Sequence, residues 1–152
     1  MRLGQKIQAV PRSARISTRE LIDVAAAALL DGGGRVLIAQ RPAGKAHAGR
    51  WEFPGGKFES GESATAALAR ELREEIGVDI RDAELLCTLE HDYPQRRVRL
   101  HLFVVERYVG EPVALDGQAL KWVSLGSLAT EDILEADRPF VVALQQRFAA
   151  AI

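Results

Sequence analysis

Residues 56–78 read Gly56-Lys57-Phe58-Glu59-Ser60-Gly61-Glu62-Ser63-Ala64-Thr65-Ala66-Ala67-Leu68-Ala69-Arg70-Glu71-Leu72-Arg73-Glu74-Glu75-Ile76-Gly77-Val78. Between Ser63 and Ile76 there is no Gly or Pro, and Ala and Leu are abundant. That pattern predicts a helix of about four turns, with Ser63 as N-cap and Gly77 where a left-handed C-terminal residue is wanted. At roughly 100° per residue, Leu68, Leu72 and Ile76 cover an arc of about 80°, and Glu71, Glu74 and Glu75 the adjoining arc of about 100°. Three carboxylates are expected on one face, with Glu75 nearest the buried edge.

Like charges at i, i+3 and i+4 repel, the more so when partly desolvated, so something must neutralise them. One answer is a solvated helix laced by arginines, with Arg70 paired to Glu74. The other is a cation. Gly55 and Gly56 read as a glycine loop before the helix and Glu62 stands at its entrance, and hard oxygen donors clustered in this way suit Mg²⁺, with Mn²⁺ as a substitute.

The spacing Gly, five residues, Glu, seven residues, Arg-Glu-aliphatic, one residue, Glu-Glu, one residue, Gly-aliphatic resembles the Nudix hydrolase signature without a departure. At ~7% per specified residue, seven fixed identities match by accident in about one window in a hundred million. The resemblance implies that Glu71, Glu74 and Glu75 hold divalent ions, that the Gly55 carbonyl adds a ligand, that Glu62 supports the site or coordinates through water, and that Arg70 orients a glutamate. Arg70 as a plain i to i+4 partner of Glu74 is compatible with that role. Lys57 is either a phosphate contact or a solvated loop residue.

The chain has 152 residues, 47% hydrophobic and 27% charged, with a net charge of −1. One soluble domain over residues 19–152 with a real core is expected, with no global field for polymeric nucleic acid. No apolar run approaches the roughly 20 residues that span a bilayer, and the N-terminal stretch lacks the apolar core of a secretory signal. Cys87 is the only cysteine, which excludes an intrachain disulfide and reads as a small core residue. A cytoplasmic protein, monomeric or weakly dimeric, is expected. Residues 1–18 carry Arg2, Lys6, Arg12 and Arg15 with no acidic residue and read as a flexible basic tail.

From Leu21 onward the pattern predicts strands at Val24–Leu30, Val36–Gln40, Trp51–Phe53, Glu84–Glu90, Val98–Tyr108 and Leu120–Val123. A closing helix from about Arg138 to Phe148 should have Asp137 as N-cap and Pro139 in its first turn. Strands mixed with two helices give an α/β or α+β class, and the resemblance makes this the Nudix α/β/α sandwich with a mixed sheet.

Gln40-Arg41-Pro42, Trp51-Glu52-Phe53-Pro54-Gly55-Gly56-Lys57, Tyr93-Pro94-Gln95-Arg96, Gly117-Gln118 and Ala136-Asp137-Arg138-Pro139 resemble the MutT-type branch. That branch implies hydrolysis of nucleoside triphosphates, 8-oxo-dGTP above all, to the monophosphate and pyrophosphate by water attack at the β-phosphorus. Arg41 is then a phosphate contact, with a surface arginine as the alternative. Asp116 stands where better-known members place a glutamate that binds metal or activates water, and it also reads as an ordinary turn aspartate. Glu71, Glu74 and Asp116 all remain open as general base. Phe53 is either the aromatic that packs on the base or a core residue, and Arg96 either closes over the base or is a solvated turn charge.

Asp137 replaces the asparagine of the better-known MutT enzymes. Ionised, it only accepts and suits a cytosine amino group or guanine N–H groups, whereas protonated it donates as well. MutT-type homologues with aspartate here are also associated with cytidine triphosphates, so a CTP or 5-substituted dCTP pyrophosphohydrolase is the alternative. An ADP-ribose or dinucleotide hydrolase and a catalytically silent sensor module stand further off.

Overall fold

The computed structural model describes residues 20–151, so the basic tail expected at residues 1–18 lies outside the described residues. Strand β1 (Glu20–Leu29) leads through a glycine turn to β2 (Arg35–Gln40). The short β3 (Trp51–Glu52) and β4 (Gly55–Lys57) precede helix α1 (Ala64–Ile76). A long hairpin of β5 (Asp79–Tyr93) and β6 (Arg96–Val109) follows, then β7 (Leu120–Ser124) and α2 (Arg138–Arg147).

The main sheet runs β4-β1-β6-β5, and a smaller sheet runs β3-β2-β7. The main sheet is mixed, because β1 lies parallel to β6 but antiparallel to β4, and β5 is antiparallel to β6. The alternation of side chains along β1 divides the interior in two. Ala25, Ala27 and Leu29 share a core with Leu68, Leu72 and Ile76 of α1. Ala26 and Ala28 share the other with Phe140, Val141 and Leu144 of α2. The sheet is therefore packed between two helices, the expected α/β/α sandwich.

The expected boundaries of α1 hold. The Ser63 side chain accepts from the Ala66 N–H, and Gly77 adopts φ 69°. The Gly77 and Val78 N–H groups reach the Arg73 and Leu72 carbonyls, closing the helix as left-handed C-caps do. No helix among the described residues is long and apolar enough to cross a membrane. Cys87 is half-buried and packs against the α2-side core.

Three expectations need correction. Gly55 and Gly56 are not a loop but part of β4, with Gly56 opposite Ala25 and Gly55 opposite Ala26. Two glycines read as turn residues, yet their missing side chains are what let β1 and α1 crowd the strand. The strand expected at Glu84–Glu90 is twice as long, since β5 passes through register shifts near Asp82 and Cys87, and bulges hide the alternation that marks a strand. Asp137 is no side-chain cap. It ends a 3₁₀ turn, Glu135–Asp137, and makes no capping bond to α2, although Pro139 does sit in the first turn.

Candidate active site

A cleft of about 1120 Å³ opens over β1 and β4, between the segment after β2 and the tip of the β5–β6 hairpin. At one end stand Glu71 and Glu75 of α1. The Gly55 N–H donates to Glu75 Oε1 at 3.3 Å. Burial, followed by the neighbouring Glu71 charge, pushes the Glu75 carboxyl up to about 8, against the Gly55 bond and with Glu52 and Asp116 adding to the rise. A carboxyl so displaced lies where positive charge is wanted. Glu71 is held against the strand, because a Cβ on Gly56 would lie 2.5 Å from its Oε1.

Arg70 does more than an i to i+4 ion pair. Its Nη1 donates to Glu71 Oε2 at 2.8 Å, its Nε and Nη2 to the two Glu62 oxygens at 2.7 and 2.9 Å, and its Nη2 to the Lys57 carbonyl at 2.9 Å. The Arg70 bonds, together with the Glu59 N–H at 2.7 Å, hold the Glu62 carboxyl down at about 2, while the same carboxylates raise the guanidinium. Both Glu62 oxygens are thereby engaged by protein, which makes it a brace for Arg70. Glu74 differs from its neighbours. Its side chain is 63% exposed and meets Arg70 only at 3.4 Å, so it stands at the outer edge of the acidic face and does not line the cleft.

Asp116 reaches the same end because its loop is hung on the C-terminal carbonyls of α1. Val113 N–H donates to Ile76 O at 3.0 Å and Leu115 N–H to Glu75 O at 3.1 Å. The buried Gln118 accepts from the Asp116 N–H at 3.1 Å and donates to Glu75 O at 3.4 Å. These bonds satisfy helix carbonyls that would otherwise be orphaned.

At the far end the Asp137 side chain, 5% exposed, lines the cleft. Its Oδ2 accepts from the Phe53 N–H at 3.2 Å. Burial pushes its carboxyl up to about 7, against the Phe53 bond. Phe53 is a core residue, its ring 3% exposed and edge-on to Phe140 at 6.5 Å, and it also forms cleft wall. Arg96 and Lys57, both exposed, line the opening. Arg41 is not a plain surface arginine, for it donates to Glu52 Oε1 at 3.0 Å and to the Ala46 carbonyl at 2.7 Å.

Sequence reasoning assigned no role to Glu52, Tyr93 or Gln118, all of which line the cleft. For Glu52 a signal existed, since a carboxylate between Trp51 and Phe53 in a strand needs a partner. Burial raises the Tyr93 hydroxyl, with Asp137 the next contributor, which puts Tyr93 at the far end as well.

Among the described residues no three acidic, His or Cys side chains are drawn together tightly enough to form a metal site by themselves. The donors do fit a hard divalent ion that shares its coordination with substrate and water: Glu71 and Glu75 carboxylates beside the Gly55 backbone, with Glu75 short of positive charge.

A mixed sheet between two helices carries paired carboxylates beside a two-glycine strand, an arrangement that suits a hard cation shared with an anionic ligand. Residues 20–144 match the NUDIX domain model, and the chain belongs to the Nudix hydrolase family, in its MutT-type branch. It is 34% identical over 125 residues to the 8-oxo-dGTP diphosphatase of Escherichia coli K12, covering 82% of this chain and 97% of that one. It is 37% identical over 131 residues to the CTP pyrophosphohydrolase of the same strain, covering 86% and 96%. A solved MutT structure, from a comparison of the Aliivibrio salmonicida and Vibrio cholerae proteins, superposes with a TM-score of 0.74 at 32% identity, covering 85% of this chain and 100% of that one. Nudix hydrolases use divalent metal ions and act on nucleotides.

Proposed function

We propose that this protein is an Mg²⁺-dependent nucleoside triphosphate pyrophosphohydrolase that removes 8-oxo-dGTP from the nucleotide pool, releasing 8-oxo-dGMP and pyrophosphate. The observation that carries the reading is Asp137. The Phe53 N–H fixes one carboxyl oxygen, and a pKa of about 7 lets the group keep its proton near neutrality. A protonated carboxyl presents a donor and an acceptor together, as the asparagine amide of other MutT-type enzymes does.

The roles follow from the two ends of the cleft. Glu71, Glu75 and the Gly55 carbonyl would hold the divalent ion, and Glu74, at the outer edge of the acidic face, is the further carboxylate that the family resemblance assigns to it. When bound, Mg²⁺ or Mn²⁺ supplies positive charge to the phosphate oxygens. Arg70 and Glu62 fix Glu71, while Lys57, Arg41 and Arg96 meet the anionic substrate along the walls. Water is directed at the β-phosphorus, with Glu71, Glu74 and Asp116 as the candidate carboxylates to take its proton. A single Nudix domain over residues 19–152, working in the cytoplasm as a monomer or weak dimer without polymeric nucleic acid, completes the reading.

A second reading has its own support. An ionised Asp137 accepts from the cytosine amino group, and a CTP pyrophosphohydrolase is among the relatives. Assay of 8-oxo-dGTP, dGTP, dCTP, CTP and ADP-ribose, with pyrophosphate measured against orthophosphate under Mg²⁺ and Mn²⁺, separates the two. Highest kcat/KM on 8-oxo-dGTP supports the first and highest on a cytidine triphosphate the second. In ¹⁸O-labelled water the label is expected in pyrophosphate, and its recovery in the monophosphate would mean attack at the α-phosphorus.

A further inference from the structure

A carboxylate in the wall of a cleft that receives an anion is a liability. A triphosphate carries several negative charges, and like charges in a partly desolvated site repel strongly. Glu52 is such a group: half-buried, on the cleft wall, and outside the acidic face of α1. Burial raises its carboxyl, and the Arg41 and Lys45 charges oppose the rise.

What Glu52 holds explains its place. Arg41 begins the segment that leaves β2, and its guanidinium has two fixed bonds, Nη1 to Glu52 Oε1 at 3.0 Å and Nε to the Ala46 carbonyl at 2.7 Å. The base of that segment is closed by backbone as well. Arg41 N–H donates to Arg50 O at 2.8 Å and Gly49 N–H to Arg41 O at 3.0 Å, while Gln40 Nε2 donates to Gly49 O at 3.1 Å. Because β3 pairs Glu52 with Ala39 of β2, the residue that carries the carboxylate is fixed to the sheet, and the arginine bonded to it is part of the cleft wall. Removing the carboxylate leaves Arg41 with the Ala46 carbonyl on a segment that has no other strand pairing.

We propose that Glu52 is a positioning residue for the nucleotide site, acting through Arg41: it orients the guanidinium and braces the 41–50 segment, so that the enzyme binds the polyphosphate with a preset arginine. This rests on the reading of Arg41 as a phosphate contact. The competing role for Glu52 is direct contact with the base, and a double-mutant cycle distinguishes the two.

Steady-state kinetics on 8-oxo-dGTP, dGTP and dCTP are to be compared for wild type, Glu52→Ala, Arg41→Ala and the double variant, with circular dichroism to check folding. Calorimetric titration of a non-hydrolysable deoxyguanosine triphosphate analogue gives binding independently of turnover. Glu52→Ala should raise KM about tenfold on every base while kcat stays within about twofold. In the Arg41→Ala background the same substitution should have almost no further effect. Glu52→Gln retains an acceptor for Arg41 and should recover most of the lost affinity; it also serves if the alanine variant does not fold. Additive losses, or a loss confined to one base, would overturn the proposal while leaving the phosphate role of Arg41 intact. An Arg41→Ala enzyme with wild-type KM would instead refute the role of Arg41 and the proposal with it.

Discussion

Replacing Asp137 with asparagine tests the far end of the cleft by a stability measurement that needs no substrate. The carboxyl moves from 3.8 to about 7 through burial, roughly three units, which corresponds to about 2–4 kcal/mol when relaxation around the ionised group is allowed for. The folded pKa lies above the unfolded one. Its contribution is therefore fully present below pH 3.8, declines as pH rises and the unfolded chain ionises first, and is lost once pH passes about 7. Asparagine keeps an oxygen to accept the Phe53 N–H bond of 3.2 Å but never ionises. Urea unfolding at a series of pH values should show the two proteins nearly equal at the acid end, with the Asp137→Asn variant ahead by about 2–4 kcal/mol above neutrality. Catalysis should follow the same titration. Wild-type preference for 8-oxo-dGTP over dGTP should decline through pH 7, and the variant's preference should stay flat. A stability difference independent of pH would refute the argument, because it would mean that Asp137 titrates alike in the folded and the unfolded protein.

Other perturbations act at the acidic end. Glu75→Gln should cut turnover by at least about a hundredfold, and thermal denaturation of the metal-free protein should show a higher Tm near pH 8, where burial and Glu71 disfavour the wild-type carboxylate. Glu74→Gln should cost less than Glu75→Gln in a parallel kinetic assay, since the Glu74 side chain is 63% exposed; equal losses would show that both glutamates hold the ion equally. Arg70→Lys should lower kcat and Tm together, because one ammonium cannot reproduce the bonds to Glu62, Glu71 and the Lys57 carbonyl. Gly56→Ala should behave as a Glu71 variant, with kcat reduced and the fold retained by circular dichroism, since the added Cβ would lie 2.5 Å from Glu71 Oε1.

What could be read from the chain alone was what is local. Helix α1 was legible from end to end, because Ser63, Gly77 and the Leu68, Leu72 and Ile76 stripe act within a few residues of each other. The acidic spacing likewise brought Glu71 and Glu75 to one face. Periodicity placed Glu75 nearest the buried edge but could not separate Glu71, which lines the cleft, from Glu74, which is left outside, since that depends on how β4 meets the helix. Asp137 shows the limit most clearly. Its place before Pro139 reads locally as a helix cap, yet its bond goes to Phe53, 84 residues away, because the cleft offers a buried N–H that a cap position does not. Glu52 and Arg41 meet across 11 residues only because β2 and β3 pair, and Asp116 nears Glu75 only because its loop docks on the end of α1. Short-range steric and hydrogen-bond preferences are written in neighbouring residues, whereas burial, and with it the charge state of Glu75 and Asp137, exists only after distant segments have packed.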